Sequence, residues 1–166
     1  MIYQNRRTYK WGSIVKKLII AVTILLSSAL LPFGPGQSDA SAAFSSNSVN
    51  KIVNTGKKYI GTPYKWGGIT PVGFDCSGFV NYTVKKATGK TLPRTTTSLY
   101  KKGTKISKSK LKKGDLLFFN TSGKGISHVA IYMGNNTMIH AASKGVKTDK
   151  LTNSYWKKRY VGAKRL

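Results

Sequence analysis

Gly73-Phe74-Asp75-Cys76-Ser77-Gly78-Phe79-Val80 contains the only cysteine of the 166-residue chain and marks the place where a loop gives way to a helical pattern. Cys76, Phe79, Val80, Val84 and Ala87 recur at the spacing of one helix face. Asp75 is a capping residue just ahead of them, and Gly89 is a stop signal, so a helix is expected over residues 76–87. A thiol in the first turn of a helix meets unpaired backbone N–H groups and the positive end of the helix dipole, and both favour thiolate. A lone cysteine cannot form an internal disulfide. On an apolar helix face it also serves simply as a small core residue. The sharper alternative, a nucleophile, needs a base from elsewhere in the chain.

Upstream, Val49, Ile52, Val53, Gly56 and Ile60 have helical spacing, with Ser48 as N-cap and Gly61 as stop. The loop Thr62-Pro63-Tyr64-Lys65-Trp66-Gly67-Gly68 follows. Downstream, residues 95–102 suit a short helix after Leu92-Pro93-Arg94. The period then changes. Leu116-Leu117-Phe118-Phe119 and residues 127–133, 137–142, 146–150 and 160–164 read as strands, with a helical turn around Tyr155-Trp156. Helices followed by a run of antiparallel strands is an α+β pattern. The expectation is N-terminal helices packed on an antiparallel sheet of about five to six strands.

The chain has two histidines, His128 and His140, on adjacent expected strands. A three-residue loop at Gly134-Asn135-Asn136 pairs Met133 with Thr137, and both imidazoles then share one face within diagonal reach. A two-residue loop puts them on opposite faces. In the favourable register His128 is the base that takes the Cys76 proton, forming a thiolate–imidazolium pair, and His140 orients His128. The backbone N–H of Cys76 is the expected oxyanion donor, with Tyr64 as a second. Zinc held by Cys76, His128 and His140 is the competing constellation. It lacks a CxxC or HxxxH pair and a fourth ligand, so no metal and no cofactor are expected.

The N-terminus reads as an export signal. Arg6, Arg7, Lys10, Lys16 and Lys17 precede an uncharged stretch of 14 residues, 18–31. That is short of the roughly 20 apolar residues that span a bilayer, and Pro32, Gly34, Pro35 and Gly36 break it. Ala40-Ser41-Ala42 fits signal cleavage. The expected organisation is a signal peptide over residues 1–42, a short polar lead-in over 43–48 and one domain over 49–166. An uncleaved membrane anchor is the alternative.

The charge is lopsided: 29 Lys+Arg against 4 acidic residues, for a net +25. Without residues 1–42, which hold five basic residues and Asp39, the net charge is +21. Only Asp75, Asp115 and Asp149 then remain, so mechanisms built on paired carboxylates are excluded. A surface this basic attracts polyanions, and for an exported chain the anionic polymers of a cell wall are the obvious ones. Nucleic acid is not expected, because no recognition motif accompanies the charge.

Six motifs occur in a specific order. They are Pro63-Tyr64-Lys65-Trp66-Gly67-Gly68, Phe74-Asp75-Cys76-Ser77-Gly78-Phe79-Val80, Leu92-Pro93-Arg94-Thr95, Gly114-Asp115-Leu116-Leu117-Phe118-Phe119, His128-Val129-Ala130-Ile131-Tyr132-Met133-Gly134 and Met138-Ile139-His140-Ala141. In that order they resemble the NlpC-type (NlpC/p-sixty) cell-wall endopeptidases, cysteine peptidases of minimal papain-like α+β fold. The resemblance implies hydrolysis of peptidoglycan stem peptides, usually between γ-D-glutamate and the diamino acid. It implies Cys76 as nucleophile, His128 as base and His140 as polar third member. Tyr64, Asp75, Ser77 and, more weakly, Trp66 are implied as substrate-contact or supporting residues. The expected protein is a secreted, wall-associated monomer without a stable membrane anchor after cleavage. A related amidase or transacylase, or a non-catalytic wall-binding protein, is the alternative.

Overall fold

A computed structural model describes residues 43–166. The signal-peptide reading of residues 1–42 lies outside the described residues. The first helix, α1 (Ser46–Lys57), begins earlier than expected: Ser45 is the N-cap, and its Oγ accepts the Ser48 N–H at 3.3 Å. Packing decides between the two serines. Phe44 lies against the core, and its N–H donates to the Leu166 carbonyl at 3.1 Å, which fixes where the chain enters the helix. Residues 43–48 are therefore half helix, and their one aromatic is docked.

Helix α2 (Cys76–Thr88) follows a two-stranded hairpin, β1 (Ile69–Thr70) with β2 (Gly73–Phe74). Asp75 caps α2 by accepting the Gly78 N–H at 2.6 Å, and Gly89 ends it at φ 75°, a left-handed conformation that glycine adopts without penalty. Helices α3 (Thr96–Lys101) and α4 (Ser154–Arg159) are short.

The remaining strands form a six-stranded antiparallel sheet. They are β3 (Thr104–Ile106), β4 (Leu116–Phe119), β5 (His128–Gly134), β6 (Thr137–Ala142), β7 (Gly145–Lys150) and β8 (Tyr160–Arg165), in the spatial order β3-β8-β4-β5-β6-β7. The α+β architecture agrees with the sequence reading. Strand β3 does not appear in the sequence pattern, because it is three residues long and has a single apolar side chain, Ile106. It exists through pairing with β8, Thr104 opposite Arg165 and Ile106 opposite Ala163.

The unbroken apolar run of β4 is explained by burial on both faces. Leu116 and Phe118 join Val129, Ile131, Ile139 and Ala141 beneath α1 and α2. Leu117 and Phe119 join Ala130, Tyr132, Met138, Leu151 and Trp156 on the other face. Each fully buried side chain of this size stabilises the fold by roughly 1.5–3 kcal/mol.

The β5–β6 hairpin reaches the expected register by an unexpected route. Its loop is the two-residue turn Asn135-Asn136, with φ 49° and 53°, and Gly134 pairs with Thr137. Positive φ at both central residues is what a type I′ turn requires. A bulge between Tyr132 and Gly134 absorbs the residue that this turn would otherwise displace. Ile131 therefore still faces Ile139 and Tyr132 still faces Met138, so His128 and His140 share a face after all.

Candidate active site

Six of the seven sequence-identified site residues, Tyr64, Trp66, Asp75, Cys76, Ser77 and His128, line one open cleft of about 1160 Å³. The seventh, His140, is fully buried behind His128. A smaller cavity of about 450 Å³, between α1 and the end of β8, contains neither thiol nor imidazole.

Cys76 occupies the first position of α2, where a backbone N–H has no acceptor within the helix. Its sulfur lies 3.6 Å from Thr96 Oγ1 and 3.9 Å from the Ser127 carbonyl, the residue next to His128. Folding thus brings the thiol, on the helix side of the sheet, to the start of β5. His128 Nε2 and His140 Nδ1 are 2.8 Å apart. His128 Nδ1 has no hydrogen-bond partner among the described residues. The two ring nitrogens that face each other are committed, which removes donors from the zinc alternative.

Behind the histidines stands a carboxylate that sequence reasoning passed over. Asp149 Oδ2, on β7, is 3.1 Å from His140 Nε2, accepts the Trp156 indole N–H at 2.8 Å and pairs with Lys147 Nζ at 3.0 Å. The Trp156 ring, on α4, stacks on His128 at 5.2 Å between centroids and meets His140 edge-on at 4.8 Å. Asp149 lies nine residues beyond His140, and only the β6–β7 pairing, with His140 opposite Lys147, brings it near.

Asp75 and Ser77 are tied into support. Asp75 accepts from the Gly78 N–H, from Ser77 Oγ at 3.2 Å and from both terminal nitrogens of Arg94, and Arg94 Nη1 also donates to Ser77 Oγ at 2.8 Å. Burial pushes the Asp75 carboxyl upward, but the Arg94 and Gly78 hydrogen bonds outweigh it and hold the group below the usual carboxylate range. Arg94 was visible in the sequence only as part of a motif. Tyr64 is half-buried at the cleft, and burial, together with the nearby Cys76 and Asp75, raises its phenol pKa. Trp66 is 88 % exposed on the rim.

Burial lowers the His128 pKa to about 3, with His140 adding to the effect and Asp149 opposing it. Burial lowers His140 to about 4, against the pull of Asp149. Both rings are therefore neutral near neutral pH, so His128 is available as a proton acceptor rather than standing as imidazolium. A stability prediction follows from the sign. The unfolded histidines protonate near 6.5, whereas the folded ones resist until about pH 4 and 3, so stability is full above pH 6.5 and drains as pH falls. Each buried histidine costs about 1.4 kcal/mol per pH unit in that window. Asp75 and Asp149 are held below the ordinary range, so neither contributes before pH 4.5. Urea midpoints at pH 7 and pH 4.5 should show a marked fall that His140→Gln reduces; an equal fall in the variant would contradict this.

Comparison with known proteins places the chain. The model of the NlpC/P60 family matches residues 61–165. The chain belongs to the NlpC/P60 family. It is 51 % identical over 117 residues to the probable peptidoglycan endopeptidase LytE of Bacillus subtilis (strain 168), covering 70 % of this chain and 34 % of that protein. It is 42 % identical over 118 residues to the γ-D-glutamyl-L-lysine dipeptidyl-peptidase of Bacillus cereus, covering 69 % and 35 %. The crystal structure of the NlpC/p60 domain of the peptidoglycan hydrolase SagA superposes with a TM-score of 0.63 at 41 % identity, covering 71 % of this chain and 98 % of that one. The chain spans about a third or less of the length of the first curated relatives it matches. The NlpC/P60 match runs from just after α1 to the end of β8 and so includes the whole cleft.

Proposed function

We propose that this NlpC/P60 chain is a cysteine endopeptidase of peptidoglycan stem peptides, cutting at the γ-D-glutamyl–diamino acid bond. The observation that carries the reading is one cleft lined by both a helix-start thiol and a neutral imidazole, the imidazole being anchored by a second one behind it. The relatives' names support the substrate class: one is called a probable peptidoglycan endopeptidase and another a γ-D-glutamyl-L-lysine dipeptidyl-peptidase.

In this mechanism the Cys76 sulfur attacks the scissile carbonyl carbon as its proton passes to His128 Nδ1. The Cys76 N–H, and in reach of the same cleft Tyr64, stabilise the oxyanion. The C–N bond breaks as His128 returns the proton to the leaving amine, giving a thioester and the freed N-terminal diamino acid. Water then attacks the thioester, His128 takes its proton, and a carboxylate and the thiol are released. Residues 1–42 direct export, and the +21 charge of residues 43–166 draws the protein to anionic wall polymers; attachment to walls that persists unchanged in molar salt would argue against that attraction.

Digestion of purified walls with lysine or diaminopimelate stems, followed by mass assignment of the new termini, tests the reaction. The expected products carry a free diamino-acid amine and a new γ-D-glutamyl carboxylate. New termini at another bond, or none, would overturn the assignment.

A further inference from the structure

We infer that Asp149 is a positioning residue that selects the tautomers of both histidines and so leaves the base nitrogen of His128 open toward the cleft. The inference rests on the cysteine-peptidase reading of the cleft and adds a fourth member behind the three implied by the sequence.

The argument is one of hydrogen-bond arithmetic. An ionised carboxylate accepts and does not donate. Burial pushes the Asp149 carboxyl upward, but bonds from Lys147 and Trp156 and the proximity of His140 outweigh it, so the group is ionised at neutral pH. His140 Nε2, 3.1 Å from Asp149 Oδ2, must therefore carry a hydrogen. Neutral His140 then has a bare lone pair on Nδ1. That lone pair lies 2.8 Å from His128 Nε2, so His128 Nε2 must be the donor. Neutral His128 is left with a bare Nδ1, the nitrogen without a partner among the described residues. Without the carboxylate the chain of donors runs equally well in reverse. His140 Nδ1–H then donates to His128 Nε2, and His128 presents N–H, not a lone pair, to the thiol.

The surroundings favour the stated direction. Three donors converge on the same carboxylate oxygen: His140 Nε2, Trp156 Nε1 and Lys147 Nζ. Trp156 also packs against both imidazoles, which keeps the rings from turning. The fold thus spends one of only three aspartates among the described residues on a group that does not reach the cysteine. The negative charge of Asp149 also favours the imidazolium that forms on His128 when the thiol proton arrives.

Asp149→Ala removes both acceptor and charge. Asp149→Asn keeps an acceptor, because the Trp156 and Lys147 donors hold the amide oxygen where Oδ2 was, and loses only the charge. Turnover of a stem peptide should fall by on the order of 10²–10³ in kcat for Ala and by roughly 10-fold for Asn, with KM nearly unchanged in both. Equal kcat in wild type and Asp149→Ala, or a loss confined to KM, would overturn the inference. If wild type turns over no faster than Cys76→Ala, the peptidase reading fails instead. A second readout needs neither turnover nor a stable Asp149 variant. Imidazole ¹⁵N spectra of Cys76→Ala at pH 7 should show both rings protonated on Nε2 and bare on Nδ1. His128 protonated on Nδ1 would overturn the inference.

Discussion

Replacing Cys76 with alanine should reduce stem-peptide hydrolysis to the uncatalysed background, a loss of at least ~10⁴-fold in kcat, while leaving the fold intact. The size follows from the chemistry: covalent catalysis has no substitute once its nucleophile is gone, and no other thiol exists in the chain. The fold should survive because the sulfur is a minor part of the core. Cys76 is 8 % exposed, and the helix it begins is held by Asp75, Phe79 and Val80 around it. His128→Ala should lose nearly as much activity, since nucleophile and base act as a unit and their effects do not add. Its fold is at greater risk, because the ring stacks on Trp156 and bonds to His140. Residual hydrolysis by Cys76→Ala within tenfold of wild type, with the same product termini, would leave the mechanism without its first step.

Gly78→Ala should be a strongly damaging single-methyl change beside the cleft. In an ordinary helix interior, glycine to alanine stabilises by roughly 0.5–1 kcal/mol. Here the sign reverses. A Cβ on Gly78 would lie 2.1 Å from the Gly68 carbonyl oxygen and 3.0 Å from Asp75 Oδ1. Neither neighbour can yield cheaply: the Gly68 oxygen accepts the Asp75 N–H, and Asp75 is the cap of α2 and the partner of Arg94. Gly68 is itself pinned, since a Cβ there would meet the Gly73 carbonyl oxygen at 2.2 Å. The loop must move away from the thiol, so the expected result is about 2–4 kcal/mol of lost stability together with a large loss of turnover. Gly89→Ala is the contrast. It has open space and carries only the left-handed backbone penalty, about 1–2 kcal/mol, with activity retained. Urea denaturation of the two variants beside wild type decides the matter. A Gly78→Ala protein at least as stable as wild type would mean that this close approach does not govern the site.

Much of the architecture was legible because local and global signals agree. Helix α2 carries its cap, its apolar face and its stop within fifteen residues, and both caps fall where the pattern puts them. Strand β4 is recognisable as a strand from four consecutive large apolar residues, and the structure adds that both of its faces are buried. The histidine pair was legible only conditionally. The frame was right, but the two-residue Asn135-Asn136 turn would have reversed it without the bulge at Met133, and nothing in the local pattern announces that bulge. Two supporting groups were out of reach for a different reason. Asp149 and Trp156 enter the site from β7 and α4, on elements whose own patterns are unremarkable, and their roles arise from strand pairing and tertiary packing. Ser45 displaced Ser48 as the cap because Phe44 docks on the core, again a tertiary preference acting on two locally equivalent serines.

The central claim is that the Cys76 thiol gives its proton to His128. Alkylation by iodoacetamide at pH 7, followed by intact mass, reads this directly, because the single cysteine makes every adduct unambiguous. The mechanism predicts alkylation at least ~10-fold faster in wild type than in a folded His128→Ala variant, the low end of what a positioned base contributes. Equal rates in the two proteins would contradict it.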